Sequence, residues 1–80
     1  MKYAVYINDS SGEELWIMSE KELQQMMRDF LIEEAEIEKD FFSKLNFTQL
    51  VNLFRDTAEE LTGIKRILIV NDRDQVIVDI

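Results

Sequence analysis

The sequence predicts an α+β two-layer domain: a four-stranded antiparallel sheet with two helices on one face, in the order ββααββ. Three observations predict it: period-two apolar patterning near both chain ends, two capping-box signatures between them, and turn-forming residues where the pattern changes. Consecutive strands joined by short turns pair antiparallel, and helices between two hairpins bury their apolar stripes against the sheet they interrupt.

Tyr3, Val5 and Ile7 alternate with Ala4 and Tyr6, which makes the first strand. Asn8-Asp9-Ser10-Ser11-Gly12 supplies turn chemistry, and Gly12 can take a positive φ. Leu15-Trp16-Ile17-Met18 returns as the second strand. Ser19 stands three residues before Glu22, the reciprocal spacing that starts a helix. From Leu23 the apolar positions Met27, Phe30, Ile37 and Phe41 follow helical spacing, so the first helix is expected to run to about Leu45 or to kink between Glu33 and Asp40. Asn46 and Gln49 repeat the capping signature, and Phe47, Leu50, Phe54, Ala58 and Leu61 form the stripe of the second helix. Gly63 is expected to end it in the left-handed conformation. Ile64 to Val70 reads as a strand apolar on both faces, Asn71-Asp72-Arg73-Asp74 as a turn, and Val76, Val78 and Ile80 as the last strand.

The chain has 80 residues, so residues 1–80 are read as one domain. With 46% hydrophobic and 32% charged residues it is too apolar for a disordered polyelectrolyte and too interrupted by charge for a membrane span. The short apolar start is cut off before a signal-peptide core is complete, and no cysteine is present for lipidation, so a cytoplasmic location is expected.

Cysteine and histidine are both absent, which removes disulfides, thiolate nucleophiles, imidazole bases and nearly every transition-metal site. The two glycines, Gly12 and Gly63, form no phosphate-cradling loop, and Asp72 and Asp74 lack the central glycine and late glutamate of a calcium loop. The expectation is a non-enzymatic protein with no cofactor and no metal. A net charge of −8 is the wrong sign for a phosphate backbone or an anionic lipid surface, so neither nucleic acid nor membrane is an expected partner.

Two features point to partner binding. Residues 20–40 hold eight acids (Glu20, Glu22, Asp29, Glu33, Glu34, Glu36, Glu38, Asp40) against Lys21, Arg28 and Lys39. Asp29, Glu33, Glu36 and Asp40 recur at steps of four, three and four, which aligns them on one face of a continuous helix. Such neighbours repel by a few tenths of a kcal/mol per pair, a small cost consistent with a docking strip for a basic groove. The plain alternative is a solvated helix face. As a polyanion mimic the strip is sparse, about one charge per 4 Å against about one per 1.7 Å of duplex axis.

The second feature is the uncovered sheet face. If Tyr3, Val5, Ile7, Leu15 and Ile17 face the helices, then Ala4, Tyr6, Trp16, Leu68 and Val70 point away and form an aromatic patch suited to a homodimer or accessory-subunit interface. The leading expectation is an inhibitor or regulator of a basic, nucleic-acid-handling protein, acting through Asp29, Glu33, Glu36 and Asp40. The alternative is assembly through Tyr6 and Trp16. Small phage and mobile-element inhibitors, anti-CRISPR and anti-restriction proteins among them, share this compact acidic profile, an analogy of type that rests on no residue motif.

Overall fold

The computed structural model describes residues 1–80 and has the α+β architecture that the patterning predicts. The elements are β1 (Lys2–Asp9), β2 (Gly12–Ser19), α1 (Glu20–Ala35), α2 (Lys39–Phe42), α3 (Phe47–Glu59), β3 (Ile64–Asn71) and β4 (Val76–Asp79). The strands lie in the order β2-β1-β3-β4, every neighbouring pair antiparallel. The two hairpins therefore meet along β1 and β3, leaving β2 and β4 as the sheet edges.

Both main helices begin as their sequences dictate. Ser19 Oγ accepts the Glu22 N–H at 3.1 Å while Glu22 Oε1 accepts the Ser19 N–H at 3.0 Å. Asn46 and Gln49 make the same reciprocal pair at 2.8 and 2.9 Å. Each box satisfies two backbone donors that a helix start would otherwise leave free.

The core lies between the helices and one sheet face. Leu23, Met27 and Leu31 from α1 and Leu50, Val51, Phe54 and Ala58 from α3 close over Tyr3, Val5, Ile67, Ile69 and Val78. Phe30 meets Phe54 edge-on with ring centroids 4.9 Å apart, a geometry in which a ring edge faces a ring's negative π surface.

Three sequence expectations are corrected. The first helix ends at Ala35, and Glu36 takes a left-handed conformation at φ 55°. Glu33, Glu34 and Glu36 crowd negative charge onto a helix end that is itself partly negative, and no basic residue lies in the last turn. The break falls inside the segment expected to kink, and the short α2 follows. In α1, Leu31 takes the core position, whereas Phe41 beyond the break is exposed. Gly63 does not adopt a positive φ. Instead α3 ends by tightening, with the Glu60 N–H on the Thr57 carbonyl and the Leu61 N–H on the Ala58 carbonyl, and the Gly63 carbonyl accepts the Ser10 N–H at 3.1 Å.

The third correction concerns the faces of β2. Asp9 pairs with Gly12 across the two-residue Ser10-Ser11 turn, and the register continues unbroken to Lys2 opposite Ser19. Val5 thus faces Trp16, and Tyr6 faces Leu15. Directly opposed residues share a sheet face, so Trp16 and Met18 lie on the helix side while Leu15 and Ile17 point outward. Tyr6 and Trp16 are consequently on opposite faces.

Candidate functional site

Where α1 crosses β2 the covering of the sheet is incomplete, leaving an open groove of about 620 Å³. Its apolar lining comes from Ile7, Trp16 and Met18 on the strands, from Ile17 at the edge of β2, and from Met26 and Phe30 on α1. Met26 and Phe30 sit one residue before the buried Met27 and Leu31. The doublets Met26-Met27 and Phe30-Leu31 make the apolar stripe of α1 wider than the core uses, and the surplus side borders β2.

Trp16 is 48% exposed although it lies on the core side of the sheet. It stands on the edge strand, beyond the full cover of the helix layer. Its indole N–H donates to Glu14 Oε2 at 3.1 Å, two residues along the same face of β2.

The rim of the groove is acidic. Glu22, Asp29 and Glu33 line it from α1, no Lys or Arg does, and the one other polar lining residue is Gln25. Gln25 Nε2 donates to Asp29 Oδ1 at 2.8 Å, which orients that carboxylate along the helix. Arg28 is held by Gln24 and Gln25 through its two terminal nitrogens, at 3.4 and 3.2 Å. The ion pairs of the protein, Arg55 with Asp56 and Arg66 with Asp79, lie elsewhere, so the rim carboxylates keep their charge available. The Ser19 backbone N–H, followed by the Ser19 hydroxyl, holds the Glu22 carboxyl below its ordinary pKa and keeps it ionised.

The structure therefore brings Asp29 and Glu33 together with Trp16. It leaves Glu36 and Asp40 out, the first at the left-handed end of α1 and the second in α2. Tyr6 belongs to the opposite, outer face, where its hydroxyl donates to Glu13 Oε1 at 2.9 Å. Its hydroxyl pKa is raised, chiefly by that bond to Glu13. The outer face keeps Ala4, Tyr6, Leu68 and Val70 as expected and gains Leu15 and Ile17, which are 70% and 67% exposed. The sequence marks Met18 and Phe30 only as apolar positions of a strand and a helix, and does not single out Met26; the apolar doublets of α1 are the available signal for the groove.

Another open apolar surface, of about 450 Å³, is formed by Ile37, Phe41 and Leu53 beside Glu38, away from β2. A concave surface of about 310 Å³ at the end of α3 mixes Glu59 and Asp79 with Lys65. In the β3–β4 turn, Asn71 Oδ1 accepts the N–H groups of Arg73 and Gln75, so an amide organises the loop. No helix is long and apolar enough to cross a membrane. The chain matches no protein-family model, no curated protein and no solved structure.

Proposed function

We propose that the protein is a non-enzymatic interaction domain that docks, through the α1–β2 groove, onto a basic surface of a protein partner, and regulates or inhibits it. A partner surface that handles nucleic acid is the favoured target, because its cationic groups complement the rim and docking there competes with the polyanion. The observation that carries this reading is the coincidence of a half-exposed tryptophan with Asp29 and Glu33 around one apolar floor. A tryptophan anchor inside a polar rim is the arrangement in which a few residues carry most of an interface's energy. The acidic rim disfavours direct nucleic-acid binding for the same electrostatic reason.

Affinity capture from source cells tests the proposal with three baits: the wild-type chain, a Trp16→Ala/Asp29→Asn/Glu33→Gln variant, and a Glu36→Gln/Asp40→Asn variant. A partner kept by the first and third baits and lost by the second is the expected result. Equal recovery by all three would sink it. A second reading, a homodimer through the outer sheet face, is favoured by the exposure of Leu15, Ile17 and Val76. It requires Leu15→Lys/Ile17→Lys to abolish a concentration-dependent dimer in sedimentation.

A further inference from the structure

The two edges of the sheet differ in how they are protected. The edge strand β4 has four residues, and its pairing with β3 shifts register between Ile69 and Val70. Shortness and a bulge both discourage further pairing. The other edge, β2, has eight residues in unbroken register with β1. It contains no proline, lysine or bulge, and its central residues Leu15, Trp16 and Ile17 are all exposed.

Which backbone groups of β2 are free follows from the ladder. Ile67 and Ile80 exchange both of their backbone hydrogen bonds, so the odd-numbered residues of β3 point toward β4 and the even-numbered ones toward β1. Correspondingly, the even-numbered residues of β1 point toward β3, as the Ser10 N–H on the Gly63 carbonyl also indicates. The odd-numbered residues Tyr3, Val5 and Ile7 then bond to Met18, Trp16 and Glu14. Glu13, Leu15 and Ile17 are left with their N–H and C=O groups directed out from the edge. These groups run alongside the mouth of the groove.

We propose that the free edge of β2 receives an extended, cationic segment of the partner as a fifth strand, with alternate side chains entering the groove. The inference rests on the docking reading above and specifies how that docking is made. On an added strand, side chains opposite Glu14, Trp16 and Met18 lie on the helix side, where long basic residues lay their stems on Trp16 and Phe30 and bring their heads to Asp29 and Glu33. The intervening side chains lie beside Leu15 and Ile17 and are aliphatic. Main-chain bonds supply affinity, and the alternation of cationic with aliphatic residues supplies specificity. Charge selects this occupant over a second copy of the chain, which would bring a second net charge of −8 and a second acidic rim to the same edge.

The test uses a seven-residue peptide that alternates valine or isoleucine with arginine, read by the fluorescence of Trp16, the single tryptophan of the chain. Three companions have the same composition: one in block order, one N-methylated at the aliphatic positions, and one N-methylated at the arginines. Strand addition predicts that methylating one alternate set weakens binding about tenfold or more while methylating the other does not, since only one set of amides faces β2. The aliphatic set is the sensitive one for an antiparallel strand, the arginine set for a parallel strand. Amide exchange at Glu13, Leu15 and Ile17 should slow when the peptide binds.

Equal binding of both methylated peptides, no preference over the block-order peptide, or no binding of the alternating peptide would overturn strand addition. None of these results removes the docking reading, which falls only if the groove variant captures the partner as the wild type does. Protection of the same three amides in peptide-free protein, rising with protein concentration, would give the edge to a second copy and overturn the proposal.

Discussion

Trp16 stands directly opposite Val5 in the β1–β2 ladder, so the tryptophan shares the core side of the sheet with a fully buried residue while itself remaining half exposed. That relationship makes Trp16 a constituent of the groove and places it beside the acids of α1 rather than on the outer face with Tyr6.

The position of Trp16 separates its effect on stability from the role in binding proposed for it. Trp16→Ala, at a half-exposed edge position, should cost the fold clearly less than Phe54→Ala, which should cost about 3–5 kcal/mol because it empties the centre of the core. Urea denaturation of both variants measures the contrast. On the captured partner, Trp16→Ala should lose about 2 kcal/mol of binding.

The acids of the first helix should divide in two. Asp29→Asn/Glu33→Gln should slow association with the partner and flatten its salt dependence, as screening by about 0.1–0.5 M salt otherwise weakens such attraction. Glu36→Gln/Asp40→Asn should leave both nearly unchanged. Surface-bound binding kinetics at two ionic strengths distinguish the pairs, and equal effects would return the function to the whole acidic strip.

At Glu36 the backbone itself offers a test. A non-glycine residue at φ 55° bears a steric cost that glycine avoids, while glycine adds freedom to the unfolded chain. Glu36→Gly should therefore raise stability by up to about 1 kcal/mol, read as a higher melting temperature. A loss of stability would show that the Glu36 side chain contributes more than its conformation costs.

Acid should loosen the start of α1. The Glu22 carboxyl is held below its ordinary pKa by the Ser19 backbone N–H and hydroxyl, so its contribution is complete above the unfolded value of about 4.3 and disappears as pH falls through the lower folded value. Glu22→Gln keeps an acceptor for the Ser19 N–H without the titration. Stability of this variant should fall less steeply than that of wild type between about pH 5 and 3, measured by denaturation at each pH.

Alkali should act through Tyr3. Burial first, and then its hydrogen bond to Glu20 with the nearby charges of Glu20 and Asp72, raise the phenol above its ordinary pKa. The neutral phenol is therefore favoured in the folded state, so its contribution holds below about pH 10 and is lost as pH rises through the folded value. Tyr3→Phe should be about 1 kcal/mol less stable at neutral pH, from the lost bond to Glu20, and should lose stability less steeply above pH ~10. Parallel denaturation at the two pH values checks this.

Local chemistry made most of the architecture legible in the sequence. Ser19 with Glu22 and Asn46 with Gln49 mark both helix starts, and period-two patterning marks both hairpins, because caps and alternation act over a few neighbouring residues. Asp29 and Glu33 stand out by their charge and helical spacing, and Trp16 by an outer-face placement that the register overturns. Their association could not be named, because it depends on which face of β2 meets α1. Leu15-Trp16-Ile17-Met18 is apolar at every position, so alternation leaves its face undecided. The two-residue Ser10-Ser11 turn sets the register against β1, and a shift of one residue would have exchanged Trp16 with its neighbours. The separation of Glu36 and Asp40 from Asp29 and Glu33 likewise came from tertiary structure: Ile37 packs against the core beyond the end of α1, which an unbroken helix would carry onward along its axis. The sequence by itself determined the elements, their order and the chemistry they carry. Only the register and the packing of α1 over β2 decided which of those residues form one site, because a groove is a property of two surfaces brought together.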